Sequence, residues 1–220
     1  MKGTDPGAAD VPDPGELADR IRAQGEALGV ALPGDPAVGK IGELLSLLYR
    51  WNRRINLTGI RDPGEGVRRH ALEALAGVAE LPDEGLLYDL GSGNGFPALP
   101  LLLSRPGLGG VLVERVARKV DFLRMAIARL GLGGRVRVEE TSIRSAAGLP
   151  EDSSVVTMRG FPSPEDWIPS IPVSRPACRV LAWLDQEKAA RVASACRQLG
   201  RMAREIPLPT RPGGVILRID

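Results

Sequence analysis

Between residues 86 and 184, short apolar runs at 86–90, 110–114, 136–138, 154–158 and 179–184 alternate with helical or loop stretches, and this leaves few folds open. The helical periodicity is strongest at 116–130, where Val116, Val120, Leu123, Ile127 and Leu130 share one face. A second helix is expected at 97–104. Such alternation predicts an α/β fold, a mostly parallel sheet covered on both faces and built from right-handed crossovers. A last run at 213–219, preceded by Ile206-Pro207-Leu208-Pro209, predicts a hairpin at the sheet edge.

The first 80 residues follow a different pattern. Residues 1–14, rich in Gly, Pro, Asp and Ala, have little to bury and are expected to be a disordered tail. A helix is predicted at 16–28 from Leu17, Ile21 and Leu28, ended by the Pro-Gly-Asp-Pro turn at 33–36. The next helix is expected to take Asp35 as its cap and Pro36 in its first turn. Its stripe is Ile41, Leu44, Leu45, Leu48 and Trp51, which puts Trp51 in the core. An irregular basic stretch at 51–62 and a helix at 66–78 complete a helical extension over 15–80. With the main domain at 81–220 it is expected to form one compact unit.

Composition excludes several classes. No apolar run reaches the roughly 20 residues of a membrane-spanning helix. The N-terminus lacks the apolar segment of a secretory signal, and Cys178 and Cys196 are too few for a disulfide framework. The expectation is a cytoplasmic protein without a membrane partner. With a single His, no metal site is expected.

The most informative segment is Tyr88-Asp89-Leu90-Gly91-Ser92-Gly93-Asn94-Gly95-Phe96-Pro97. A strand ends at Leu90, and Gly91, Gly93 and Gly95 permit a tight turn that a ligand can approach closely. In open α/β sheets ligands bind beyond the carboxyl ends of the strands, where this turn and Asp89 must lie. The spacing is G-x-G-x-G, not the G-x-G-x-x-G of dinucleotide sites, and no Lys-Ser/Thr follows to make a P-loop. The next strand ends in Glu114, a carboxylate able to accept the hydroxyls of an adenosine ribose. Turn and acid together predict an adenosyl cofactor.

Upstream of the turn, Arg53, Arg54, Arg61, Arg68 and Arg69 outnumber Asp62 and Glu65, with Trp51 and His70 at the ends of the stretch. The whole chain carries 29 basic and 27 acidic residues, and with Lys only at 2, 40, 119 and 188, the other 25 basic residues are Arg. Arg forks beside a cofactor site suit loop or single-stranded RNA. His70 reads equally well as a substrate contact or as a satisfied structural histidine.

The runs Trp51-Asn52-Arg53-Arg54-Ile55-Asn56-Leu57-Thr58, Arg69-His70, Asp89 to Pro97, Pro100-Leu101, and Lys119 with Phe122-Leu123-Arg124 resemble the bacterial small-subunit rRNA guanine-N7 methyltransferases, the RsmG (GidB) family. The likeness runs from about Leu44 to Arg159, and the W-N-x-x-x-N-L-T motif is its most specific part. It implies a class I S-adenosylmethionine-dependent methyltransferase: a Rossmann-like seven-stranded sheet, S-adenosyl-L-methionine as cofactor, S-adenosyl-L-homocysteine as product, and 16S rRNA or the small ribosomal subunit as partner of a monomer. Position by position it implies cofactor contacts at Asp89, Gly91, Gly93, Gly95, Phe96, Glu114, Ser142, Ile143 and Arg159. Arg159 is placed between methyl donor and substrate, Asn56 at the edge of the base, and Arg53, Arg54, Arg61, Arg68, Arg69 and His70 on the RNA side.

Several family positions differ. Thr141 replaces an Arg after the third strand, with Ser142-Ile143 following. Glu73-Ala74 stands for Asp-Ser, Ala98 for a Gly, and Leu184-Asp185 for a Lys-Gly after the fifth strand. Loss of that Arg and Lys predicts weaker phosphate binding, which leaves a redistributed Arg surface, a different RNA target or reduced activity. The alternatives are a methyltransferase for a different RNA, a protein or a small molecule, and a non-catalytic cofactor-binding relative.

Overall fold

The computed structural model describes residues 11–142, 149, 151–171 and 178–220. Strands β1 (Gly85–Leu90), β2 (Leu108–Glu114), β3 (Val136–Glu140), β4 (Ser153–Arg159) and β5 (Arg179–Asp185) run parallel. With β6 (Ala203–Pro207) and β7 (Gly214–Ile219) they form one sheet in the order β3-β2-β1-β4-β5-β7-β6, and β7 runs antiparallel to both of its neighbours. The expected edge hairpin is therefore β6–β7.

Period-two burial assigns each strand residue to one of two cores. Leu87, Leu112, Val155, Leu181 and Ile216 pack against α1 (Pro14–Leu28), α2 (Asp35–Asn52), α5 (Ala98–Ser104) and α6 (Ala117–Arg129). Tyr88, Leu90, Val111, Val156, Val180 and Leu217 face the other way, toward α7 (Pro164–Trp167) and α8 (Gln186–Gln198). On α2 the expected stripe is buried: Ile41, Leu44, Leu45 and Leu48 are fully inaccessible. Each contributes roughly 1.5–3 kcal/mol, which outweighs any cap and fixes α2 to the sheet. Trp51 packs at the rim of that core, edge-on to Phe122 with ring centroids 5.7 Å apart.

Two expectations about helix starts are corrected. Asp35 is the first helical residue of α2 and not its cap, because its carboxylate is taken by Arg22 at 3.0 Å. The helix expected at 66–78 begins earlier and is not uniform: α3 (Pro63–Gly66) leads into a π-helical turn at Val67–Leu72, then α4 (Glu73–Leu75) and a 3-10 turn at Val78–Glu80. Asp62 starts it by accepting from Glu65 N–H at 2.7 Å, with Pro63 preset for the first turn. Of the expected tail, residues 1–10 lie outside the described residues, while Asp13 caps α1 and Pro14 is its first residue, so the first helix starts earlier than expected and takes in the end of the tail.

Candidate active site

The β1–α5 turn lies at the carboxyl edge of the sheet, where two cavities meet. The first, about 390 Å³, is lined by Gly91, Glu114, Arg115, Val116, Thr141, Ser142 and Pro162 among others. The second, about 430 Å³, is lined by Leu57, Arg69, Glu73, Asn94, Phe96, Arg159, Trp183, Lys188 and Arg211 among others. Gly91, Lys119, Gly160 and Phe161 line both, so the two spaces adjoin at the end of β1.

The turn is braced by Glu114. One carboxylate oxygen accepts from the N–H groups of Arg115 (2.8 Å) and Val116 (2.9 Å), and the other from Gly93 N–H (3.0 Å). A carboxylate has about four acceptor sites, so one remains for a ligand hydroxyl, not two as expected. Gly91 has φ +69°, and a Cβ there would stand 3.6 Å from Phe161 in the junction of the two cavities. Gly95 serves a different end. A Cβ there would meet Leu99 at 2.6 Å, and Gly95 lines neither cavity, so what the structure shows for it is close packing.

Asp89 lies beneath the turn, 1% exposed, and lines neither cavity. One oxygen accepts from the Thr157 hydroxyl at 2.6 Å, and the other has no hydrogen-bond partner. Burial lifts its carboxyl to about 6, although the hydrogen bonds work the other way. An unmatched oxygen on a buried acid is an unmet demand for a donor.

The second cavity is cationic. Arg69, Lys119, Arg159, Lys188 and Arg211 line it against the carboxylates of Glu73 and Asp185. Glu73, 1% exposed, is the hub: Arg69 Nε lies 2.8 Å, Arg211 Nε 3.3 Å and Arg159 Nη1 3.9 Å from its carboxylate. The π-helical turn makes this arrangement. Glu73 N–H bonds the Arg68 carbonyl, five residues back, and the Arg69 carbonyl accepts from Arg159 Nη1 at 2.7 Å.

Arg159 also donates to His70 Nδ1 at 3.2 Å. A guanidinium has only hydrogens to offer, so Nδ1 accepts and Nε2 carries the ring proton toward Thr58 Oγ1 at 3.0 Å. Burial, then Arg159 and Arg69, push the His70 pKa down to about 3, which keeps the ring neutral at physiological pH. The ring lies 5.2 Å from that of Phe96, tilted by 33°. His70, expected on the RNA side, is therefore corrected: at 3% exposure with both nitrogens engaged, it joins the W-N-x-x-x-N-L-T segment to β4 and positions Arg159. Asn52 shapes that segment, accepting from Leu57 and Thr58 N–H groups and donating to the Thr58 carbonyl.

The other expected residues divide between these places. Gly93 and Phe96 line the cationic cavity, and Ser142, beside Thr141, lines the Glu114 cavity, while Ile143 lies outside the described residues. Arg159 lines the cationic cavity, together with Gly93 and Phe96, and is absent from the lining of the Glu114 cavity. Asn56 is exposed and lines neither cavity, so the structure does not bring it to the chemistry. Arg53 and Arg54 flank Trp51 on a separate exposed groove, Arg61 is exposed, and Arg68 is paired with Glu65 at 2.5 Å. Sequence reasoning assigned no role to Lys119, Phe161, Trp183, Lys188 or Arg211. Lys119 carried a signal as part of the family resemblance, and Glu73 a local one, four residues after Arg69 on a helix.

Residues 38–186 match the family model described as rRNA small subunit methyltransferase G. The chain is 37% identical over 195 residues to the ribosomal RNA small subunit methyltransferase G of Myxococcus xanthus, covering 85% of this chain and 88% of that protein. It is 36% identical over 187 residues to the protein of the same name from Alkalilimnicola ehrlichii, covering 83% of each. Among solved structures, an SAM-dependent methyltransferase from Aquifex aeolicus superposes with a TM-score of 0.54 at 14% identity, covering 72% of this chain and 94% of that one. The seven-stranded, mostly parallel sheet with its helices is that of the class I S-adenosylmethionine-dependent methyltransferase fold. With that fold and relatives matched over most of their length, the chain belongs to the rRNA small subunit methyltransferase G family.

Proposed function

We propose that this protein methylates N7 of a guanosine in 16S rRNA, using S-adenosyl-L-methionine, and that it acts as a cytoplasmic monomer on rRNA or the small ribosomal subunit. The observation that carries the reading is the pair of adjoining cavities, one edged by Gly91 and Glu114, the other by the glycine turn and a group of cations. No helix of the described residues is long and apolar enough to cross a membrane.

The residues present fit the cofactor. The opening at Gly91, which a Cβ would fill, and the free acceptor site of Glu114 match a close backbone approach and a ribose hydroxyl, and the buried Asp89 carboxyl beneath the turn sets a negative charge under a cationic ligand. When bound, S-adenosylmethionine supplies an electrophilic sulfonium methyl. Guanine N7 carries an in-plane lone pair and no proton, so the chain needs no general base. Its task is positioning and exclusion of water. Arg159, held by the Arg69 carbonyl and His70, offers its remaining donors to guanine O6 or a neighbouring phosphate, and Phe96 and Phe161 supply apolar walls. The names of the relatives, which specify small-subunit rRNA, support this substrate over other RNAs.

The cofactor half is tested by calorimetry with S-adenosylmethionine across pH. Asp89 is ionised above about 6, and a cationic ligand favours the ionised form. Affinity is therefore expected to be flat above pH 7 and to fall below pH 6 by up to about tenfold per unit, with Asp89→Asn removing the dependence. Absence of detectable binding at every pH would sink the reading, and a pH-independent affinity would sink the role given to Asp89.

A further inference from the structure

We infer that Arg211, on the β6–β7 hairpin, is a substrate-positioning residue that holds a backbone phosphate of the RNA beside the target nucleotide. The inference rests on the proposed RNA substrate, and it assigns a contact to a part of the chain where the sequence offered none. Arg211 lines the cationic cavity beside Arg69, Arg159 and Glu73, away from the Glu114 cavity.

Its two arginine neighbours in that cavity are held by closer bonds: Arg159 by the Arg69 carbonyl and His70, and Arg69 by Glu73 at 2.8 Å. Arg211 has no such close bond to a side chain. Its Nε, buried, lies 3.3 Å from Glu73 Oε1 without hydrogen-bond geometry, and its Nη2 reaches the Leu184 carbonyl only at 3.4 Å. A guanidinium oriented at long range by one carboxylate and one carbonyl keeps donors for a phosphate oxygen, and its fork matches that group.

The hairpin is built to send this side chain inward. The guanidinium lies across the backbone of Gly214, where a Cβ would come within 2.6 Å of Nε and 3.0 Å of Cζ. The turn itself is closed by Leu208 N–H to the Gly214 carbonyl and Gly214 N–H to the Arg211 carbonyl, and it is tied to the start of α8 by Gln186 N–H on the Gly213 carbonyl. Gly214 pairs with Asp185 in the sheet, which brings Arg211 to the end of β5. There the family resemblance expects Lys-Gly and this chain has Leu184-Asp185. The Leu184 carbonyl that accepts from Arg211 marks the place of the missing cation. A charge lost from β5 is thus returned by a hairpin 27 residues further along the chain.

The test compares Arg211→Gln, Arg211→Lys and Gly214→Ala with the unchanged protein. Three quantities are measured: KM and kcat for small-subunit rRNA, the salt dependence of binding to a fluorescent rRNA fragment, and the Kd of S-adenosylmethionine. Arg211→Gln is expected to raise KM for rRNA about tenfold with kcat changed less, and to reduce the salt slope by roughly 0.7–0.9, one phosphate contact. Arg211→Lys should recover most of the slope and only part of KM. Gly214→Ala, which keeps the charge and displaces the fork, should raise KM with the slope nearly intact. In all three the cofactor Kd should stay within about threefold. An unchanged salt slope and KM in Arg211→Gln would overturn the inference, and so would a loss confined to cofactor affinity. If the unchanged protein transfers no methyl group to rRNA, the proposed function fails on that result alone. The salt slopes with the fragment then still decide whether Arg211 meets phosphate.

Discussion

Glu73→Ala is expected to destabilise the fold by roughly 3–5 kcal/mol, because it leaves the charges around a buried carboxylate without their counter-ion. Arg69, Arg159 and Arg211 converge on Glu73 from three separate parts of the chain, and the acid is 1% exposed. Removing it costs the close bond to Arg69 and leaves three guanidiniums facing one another across a half-closed cavity. Urea unfolding measures the loss as a lower midpoint, and rRNA binding should weaken as the cations splay. Glu73→Gln keeps the shape and some hydrogen bonding, so it should fall between the alanine variant and the unchanged protein. A loss below about 1 kcal/mol in Glu73→Ala would mean that the cluster is solvated and not organised by this residue.

The second large effect is expected at Arg159. Arg159→Ala should lower kcat for methyl transfer to rRNA by about a hundredfold or more while the S-adenosylmethionine Kd moves within about threefold. The side chain lines only the cationic cavity and is fixed at two points, the Arg69 carbonyl and His70 Nδ1. Arg159→Lys should not restore the rate, since an ammonium on a flexible stem cannot keep both contacts and still present a planar fork. A tritium-methyl assay reads the outcome, and unchanged transfer by Arg159→Ala would remove the residue from the mechanism.

These two residues also show what could be read from the chain and what could not. The parallel sheet was legible because apolar runs and helical stretches alternate from Leu86 onward, and the position of the ligand followed from where a β1–α5 turn must lie. Glu114 was legible for the same reason, as the last residue of the neighbouring strand. Its second task was not, because the bonds to Gly93, Arg115 and Val116 depend on how the turn folds back. The π-helical turn left no mark in a pattern of apolar spacing, yet it supplies the carbonyl that anchors Arg159. His70 was ambiguous in sequence because a buried and a substrate-facing histidine look alike until partners appear, and Thr58 and Arg159 are those partners. Arg211 was illegible for a topological reason. It is 138 residues from Glu73 in the chain, and only the antiparallel return of β7 onto β5 brings the two together.

Glycine positions needed the same separation. Gly91 and Gly95 stand in one motif and look equivalent, but the first opens onto the cavities and the second makes room for Leu99. The basic stretch likewise splits. Arg69 enters the site through Glu73, Arg68 is consumed by Glu65, and Arg53, Arg54 and Arg61 remain on the surface, where an RNA backbone can reach them.

The central claim, methylation of a guanosine in small-subunit rRNA, is tested most directly by mapping N7-methylguanosine in that RNA from cells lacking the gene and from the same cells with the gene restored. The account predicts one methylated guanosine that disappears on deletion and returns on restoration, and that does not return when the restored gene carries Arg159→Ala. The same methylation in all three strains would contradict it.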